Sequence, residues 1–157
     1  MKKSLTLTFI TALAALLTSC NTDATQHSGM SLIQKSDPDP IILDEKKEKD
    51  HKLVASIKKD VAKFDELYDV AVIKGEEEIL VAYKVKHLQR FHMVKIEGEI
   101  NKMLEEKYPK ENFIVSSDYK IFLEAVELND KMKNPDFSKK DAKKNLEEII
   151  KLKKELT

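Results

Sequence analysis

The segments Leu67–Lys74, LYDVAVIK, and Glu78–Lys86, EILVAYKVK, decide the fold. Both are rich in the β-branched and aromatic residues that favour strands, and they flank a turn at Gly75. The pair therefore predicts a β-hairpin. One face of the second strand is apolar through Ile79, Val81, Tyr83 and Val85.

The two hairpin strands differ in how they carry charge. Lys84 and Lys86 lie on the second face of Glu78–Lys86, a pattern typical of an edge strand that charge protects from further pairing. The first strand is apolar on both faces, with Ala71 and Ile73 on one side and Val70 and Val72 on the other. We therefore expect the first strand to lie inside the sheet.

Helical periodicity precedes and follows the hairpin. Residues 44–64 place five apolar residues on one helix face: Leu53, Val54, Ile57, Val61 and Phe64. A second helix is predicted from Arg90 to Tyr108, where Pro109 ends it, and its stripe is Met93, Ile96, Ile100, Met103 and Leu104. Phe91 and Val94 lie on the opposite side of this helix, so either another helix covers them or the helix begins later.

A short third strand, Asn112–Ser116, comes next. Ser117 or Asp118 is a suitable N-cap for a helix whose apolar residues are Ile121, Phe122, Ala125, Leu128 and Met132. Pro135 breaks that helix, and Ser138 begins a last one. We expect the last helix to pack back on the domain through Ala142, Leu146, Ile149, Ile150 and Leu156.

The predicted element order over residues 44–157 is therefore α-β-β-α-β-α-α. A hairpin followed by a helix and a further strand is typical of a split β-α-β unit. We expect a two-layer α+β domain with a small three-stranded mixed sheet. The first hairpin strand is expected between the other two strands, and the helices on one sheet face.

The N-terminus has the features of a secretory signal peptide. Lys2 and Lys3 precede an uncharged apolar run, Leu5–Leu17, which is shorter than the ~20 residues of a membrane-spanning helix. The sequence that follows, Leu17-Thr18-Ser19-Cys20, resembles the bacterial lipobox. It predicts cleavage after residue 19, with diacylglycerol on Cys20 holding the protein on the membrane. Polar residues 20–43, rich in Asp and Pro towards their end, are expected to form a flexible tether.

Composition excludes several functional classes. The chain of 157 residues carries 28 Lys and Arg against 28 Asp and Glu, so bulk charge gives no attraction to nucleic acid. Its single cysteine cannot form an internal disulfide or a four-thiolate zinc site, and three glycines leave no phosphate-binding loop. We expect no cofactor, no bound metal and no nucleic-acid partner.

The lipobox, the hairpin DVAVIKGEEEILVAYKVKH, the helix RFHMVKIEGEINKMLEEKYP and the junction FIVSSDYKIFLEAV together resemble the YhcN/YlaJ type of sporulation lipoprotein. The hairpin-helix-strand core is also similar in pattern to the BON domain, a small extracytoplasmic binding module. The resemblance covers roughly residues 44–134 and leaves residues 135–157 as a separate C-terminal amphipathic helix. It implies a membrane-attached lipoprotein on the extracytoplasmic face of the spore inner membrane, with a role in germination or outgrowth. It also implies a protein partner in the spore envelope, and it supplies no catalytic residues.

Few side chains form a pattern with a chemical meaning. Arg90, the only arginine, is a candidate for an anion or lipid-headgroup contact, and its alternative is a salt bridge at a helix N-terminus. His87 and His92 lack a third ligand nearby in sequence. Ser116 and Ser117 lack a nucleophile elbow. We therefore expect a non-enzymatic interaction module; an exposed apolar patch around Phe91 and Val94 would favour it. The alternatives are a small cell-wall- or lipid-acting enzyme and a structural spacer.

Overall fold

The structure is a computed structural model that describes residues 35–43 and 48–156. The predicted signal peptide and Cys20 lie outside the described residues. In chain order the elements are β1 (Ile41–Ile42), α1 (Glu48–Val61), β2 (Leu67–Lys74), β3 (Ile79–Val85), α2 (Met93–Lys107), β4 (Phe113–Ser116), α3 (Tyr119–Met132) and α4 (Lys139–Glu155). A 3-10 helix, His87–His92, joins β3 to α2. From α1 onwards the order of helices and strands is the predicted one.

The described strands form one mixed sheet in the order β1-β2-β3-β4. β2 and β3 pair antiparallel as the predicted hairpin, β3 pairs parallel with β4, and β1 pairs parallel with β2. This confirms an α+β fold with a mixed sheet. The expectation of three strands is wrong by one, because Ile41 and Ile42 add a short strand beside β2.

The predicted positions of the two hairpin strands are only half right. β2 does lie inside the sheet, but its neighbours are β1 and β3. β3 is a central strand between β2 and β4, so its prediction as an edge strand is wrong. The reason is that Leu80 and Ala82, on the same face as Lys84, are fully buried. A strand that is apolar on both faces is stable only when both faces are covered.

Helices cover both faces of the sheet, so the predicted two layers are in fact three. On one face, α1 and α2 pack against β2 and β3 through Val54, Ile57, Val61, Ile96, Ile100 and Leu104. On the other face, α3 and α4 pack through Ile121, Phe122, Leu128, Ala142, Leu146 and Ile149. Both central strands have two apolar faces, which is why one helical layer is insufficient.

The last helix packs on the domain, as the sequence predicts. Ser138 caps α4 by accepting a hydrogen bond from the Asp141 backbone N–H, and Ala142, Leu146 and Ile149 are buried against α3 and the sheet. Leu156 departs from the predicted stripe and is 54% exposed. The α3 cap is Asp118, whose carboxylate accepts from the backbone N–H groups of residues 120 and 121.

Residues 35–43 belong to the folded domain and not to the tether in which the sequence placed them. Ile41 and Leu43 are buried in the core beside α3, and the backbone N–H of Leu43 donates to the carbonyl of Lys74 at 2.9 Å. Asp-Pro repeats disfavour helix but not strand, so they are compatible with an extended segment that pairs with β2. We call residues 35–43 the strap.

Candidate functional site

Three apolar side chains protrude from the domain after β3. Leu88 is 82% exposed, Phe91 is 93% exposed and Val94 is 90% exposed. They are three of the five large exposed hydrophobic residues in the described part of the chain; Leu123 and Leu156 are less exposed. We call these three residues the apolar patch. Contiguous exposed apolar surface of this kind marks interaction sites, whereas single exposed hydrophobic residues do not.

The local backbone explains why the three side chains form one surface. His87–His92 is a 3-10 helix with no buried residue, and residues three apart are eclipsed in such a helix. Leu88 and Phe91 therefore project on the same side. The α-helical spacing begins only at Met93, which turns Ile96 and Ile100 towards the core and leaves Val94 outside. This resolves the question left by the sequence: the helix begins later, and no described element covers Phe91 or Val94.

The residues that neighbour the apolar patch in sequence include basic side chains and no acidic ones. No Asp or Glu occurs between Ile79 and Ile96, although the whole chain has as many acidic as basic residues. Lys86, Arg90 and Lys95 are exposed. Lys86 donates to the backbone carbonyl of Asp65, and Lys95 pairs with Glu99 at 3.7 Å.

Arg90 lies in the 3-10 helix between two members of the apolar patch. Its guanidinium forms no salt bridge with any residue in the described ranges, so the alternative of a local ion pair finds no support there. An exposed guanidinium can bind a carboxylate or a phosphate through two N–H groups. The anion or headgroup contact stays a prediction.

The two histidines of this segment are both exposed. Within residues 35–43 and 48–156, no three His, Cys, Asp or Glu side chains lie close enough to hold a metal ion. His87 and His92 are exposed side chains of the 3-10 helix that also carries Leu88 and Phe91.

The strap is tied to the domain by side chains from three elements. The Asp69 carboxylate accepts from the Ser36 backbone N–H at 2.7 Å, from the Ser36 hydroxyl at 2.8 Å and from the Asp37 N–H at 3.2 Å. Lys58 donates to Asp37 and to the carbonyl of Pro38, each at 2.7 Å. Asn129 donates to the carbonyl of residue 39 at 2.6 Å.

These bonds fix the place where the chain enters the domain. Asp69 lies near the start of β2, and Leu67 at the start of β2 pairs with Val85 at the end of β3. The 3-10 helix follows β3 directly. The first residues of the strap and the apolar patch therefore lie at the same end of the sheet.

Asp69 also has a buried basic neighbour. Asp69 and Lys84 are cross-strand partners, 2% and 8% exposed. The Lys84 ammonium lies 4.9 Å from the ring centre of Tyr68 and 5.1 Å from that of Phe122. Burial lowers the pKa of Lys84, and the nearby Asp69 carboxylate opposes that shift. Lys84 is thus part of the interior and not of a charged sheet edge.

A second ionic cluster joins α1 to the end of α2. The Asp60 carboxylate accepts from Lys107 at 2.6 Å, from Lys63 at 2.7 Å and from the Tyr108 hydroxyl at 2.6 Å. Hydrogen bonds from Lys107, Lys63 and Tyr108, in that order, hold the pKa of Asp60 well below its usual range. The cluster therefore stabilises the folded state only while Asp60 is ionised.

Asp60→Asn is expected to lower the free energy of unfolding by about 1–2 kcal/mol at pH 7 and by less near pH 3. Because the folded pKa of Asp60 is depressed, its contribution is complete above the unfolded pKa near 4 and is lost as the pH falls. Urea unfolding of both proteins at pH 7 and pH 3 measures this. Asp130→Asn, at an exposed carboxylate paired with Lys133, is the control. An equal deficit of Asp60→Asn at both pH values would contradict the electrostatic role.

The serines at the strand-to-helix junction have structural partners. The Ser116 hydroxyl accepts from the Asp118 backbone N–H at 3.2 Å, and Ser117 donates to Glu97 at 3.1 Å. Glu97 also pairs with Lys153 of α4 at 3.4 Å. These contacts link α2, β4 and α4 at the open edge of the sheet.

A groove of about 280 Å³ lies between the β2–β3 turn and α4. Four carboxylates line it, those of Glu76, Glu77, Glu78 and Glu147. Lys143 pairs with Glu76, and Lys154 pairs with Glu78 at 3.6 Å. These ion pairs join the hairpin to α4 across the groove.

Comparisons with known proteins do not place the chain in a family. No family model, no curated protein and no solved structure matches it. The resemblance to YhcN/YlaJ-type lipoproteins therefore stays a prediction from the sequence. Among the described helices, none combines the length and apolar character needed to cross a bilayer.

Sequence reasoning found part of the site. It singled out Phe91, Val94 and Arg90, and all three are exposed in the structure. It missed Leu88, although the spacing of residues 88, 91 and 94 at three-residue intervals was a readable signal. It also missed the pairing of Lys84 with Asp69, for which the sequence has no local signal, because the pairing depends on strand register.

Proposed function

We propose that this protein is a membrane-anchored lipoprotein whose small α+β domain is a non-enzymatic interaction module. Diacylglycerol on Cys20 holds the chain on the extracytoplasmic face of the membrane, and the domain presents the apolar patch for binding. The observation that carries the proposal is the exposure of Leu88, Phe91 and Val94, which is 82–93%. Covering large apolar side chains that are this exposed would release free energy on binding, and a cluster of them is typical of an interaction surface.

The strap supports the same function. The predicted acyl anchor precedes the strap in the chain, and the strap's hydrogen bonds to Asp69 and Lys58 fix the entry point of that chain on the domain. A fixed entry point sets which end of the domain the chain from Cys20 reaches first. An anchored module gains from this, since effective concentration at the membrane depends on geometry.

The biological setting that we propose is the spore. It rests on the resemblance of the lipobox, the hairpin and the FIVSSD junction to sporulation lipoproteins, which implies the spore inner membrane and a role in germination or outgrowth. In an endospore-forming host, the protein is expected to accumulate during sporulation and to be scarce in vegetative cells. Immunoblotting across a sporulation time course measures this.

Cys20→Ala is expected to abolish lipid anchoring. The variant has no thiol to acylate, so it accumulates as the uncleaved precursor or is released, whereas the parent protein is found acylated in the membrane fraction. Membrane fractionation with intact-mass measurement separates these states. Thr22→Ala leaves the Leu17–Cys20 motif intact and is the matched control. Equal masses and equal soluble fractions for parent and Cys20→Ala would refute the lipoprotein assignment.

A further inference from the structure

We propose that the apolar patch docks on an anionic lipid bilayer, as a second membrane contact beside acylated Cys20. The inference extends the proposed function, on which it rests for the position of the anchor. In the docked state Leu88, Phe91 and Val94 enter the boundary between headgroups and acyl chains, and the neighbouring cations contact lipid phosphates.

The segment of residues 86–95 has the composition of an interfacial helix. Interfacial helices combine an apolar face with Lys and Arg and insert about 5–10 Å into the headgroup boundary. Residues 86–95 have this composition, with an aromatic residue at the centre of the apolar patch and no acidic residue among them. Each Lys or Arg close to an anionic surface strengthens binding roughly fivefold. Arg90 lies between Leu88 and Phe91 in sequence, where a guanidinium can bind a phosphate with two N–H groups.

The apolar patch protrudes from the domain. Side chains that are more than four-fifths exposed protrude from the protein and have few protein neighbours. Energetically important residues of protein–protein interfaces usually lie in well-packed, desolvated surroundings. Protruding side chains on a short 3-10 helix suit a soft medium that closes around them. A lipid surface meets this requirement without a matching pocket.

The chain that leads from Cys20 enters the domain at the end of the sheet that carries the apolar patch. The strap's first bonded residues, Ser36 and Asp37, lie at Asp69, and the apolar patch follows β3 at the same end of the sheet. The chain from Cys20 to Lys35 can span at most about 50 Å even when fully extended. Because the chain enters at this end of the sheet, an anchor at Cys20 and docking of the apolar patch are geometrically compatible.

The test uses the chain from residue 20 onwards with Cys20→Ala, which contains every described element and carries no acyl group. Its binding to phosphatidylglycerol–phosphatidylcholine vesicles is measured by co-sedimentation. We expect binding to the mixed vesicles and at least tenfold weaker binding to phosphatidylcholine alone. Phe91→Ser/Val94→Ser is expected to weaken binding to the mixed vesicles at least tenfold. Leu156→Ser, at a partly exposed leucine outside the apolar patch, is expected to leave binding unchanged.

Charge is tested separately. Arg90→Gln is expected to weaken binding to the mixed vesicles about fivefold, while Lys110→Gln, at an exposed lysine outside the segment, has no effect. Because the chain has no tryptophan, Phe91→Trp supplies a unique fluorescent probe. Its emission is expected to shift to shorter wavelength on anionic vesicles and to be quenched by brominated lipid. Leu156→Trp, the control probe, is expected to show neither change.

Three outcomes would overturn the docking proposal. They are no binding of the parent chain to anionic vesicles, equal binding of the parent and Phe91→Ser/Val94→Ser, and a concentration-dependent dimer that this double variant abolishes. The last outcome would show that the patch binds a second copy of the chain. The vesicle assays use unacylated protein. A negative result in them therefore contradicts docking of the apolar patch and leaves the lipid anchor, which the Cys20→Ala fractionation tests, unaffected. Circular dichroism and urea unfolding of each variant confirm that the exposed substitutions leave the fold intact.

Discussion

Lys84→Glu is expected to lower the free energy of unfolding by about 4 kcal/mol or more. Lys84 is 8% exposed on the central strand β3, directly opposite Asp69. Glutamate at this position would put a second buried carboxylate beside that of Asp69 and remove the ammonium from the rings of Tyr68 and Phe122. Like charges that are directly opposite each other are destabilising even on exposed sheets, and burial increases the penalty.

Lys86→Glu is the matched control, because Lys86 lies one residue beyond β3 and is exposed, with its ammonium donating to the backbone carbonyl of Asp65. Its expected effect is within about 0.5 kcal/mol. Urea unfolding followed by circular dichroism compares the two. If Lys84→Glu does not fold, Lys84→Met, which keeps the apolar stem, is expected to fold with a smaller loss of about 1–2 kcal/mol. Equal, small effects of Lys84→Glu and Lys86→Glu would mean that β3 is an edge strand after all.

The two lysines show what the sequence can and cannot decide. From the pattern alone, Lys84 and Lys86 are equivalent charges on one strand face, and an edge strand is the natural inference. The structure separates them because Lys84 lies within the paired part of β3 and Lys86 lies just beyond it. The face that carries Lys84 is buried by α3 and α4, and the Lys84 ammonium itself lies against Phe122, a residue more than thirty positions away in sequence.

Local signals predicted the elements well. The hairpin, the Asp118 and Ser138 caps, and the apolar faces of α1 to α4 all depend on residues within a few positions of one another, and each is present. Layer number and strand order depend on contacts between distant segments. Ile41 and Leu43 gave no periodic signal, because a two-residue strand is too short to show one, and so β1 was missed. The apolar patch was partly visible because Phe91 and Val94 did not fit the core stripe of their helix.

Asp69→Ala is expected to lower the free energy of unfolding by about 3 kcal/mol and to loosen the strap. The Asp69 carboxylate accepts hydrogen bonds from Ser36, from the Asp37 N–H and from the Val70 N–H at 2.9 Å. Alanine leaves these donors without their acceptor and leaves Lys84 buried without its cross-strand carboxylate. The backbone at Asp37 adds to the effect, since its φ of 41° is unfavourable for a non-glycine residue and needs support from neighbouring contacts.

Two measurements separate the global effect from the local one. Urea unfolding gives the loss of stability, and hydrogen exchange of the backbone N–H groups of the strap, including Leu43, reports its release. Asp136→Ala, at an exposed aspartate, is expected to change neither. Strap exchange that stays as slow as in the parent chain would show that Lys58, Asn129 and β1 hold the strap without Asp69. If exchange accelerates while most of the domain stays protected, Asp69 is the residue that holds the strap at the end of the sheet that carries Leu88, Phe91 and Val94.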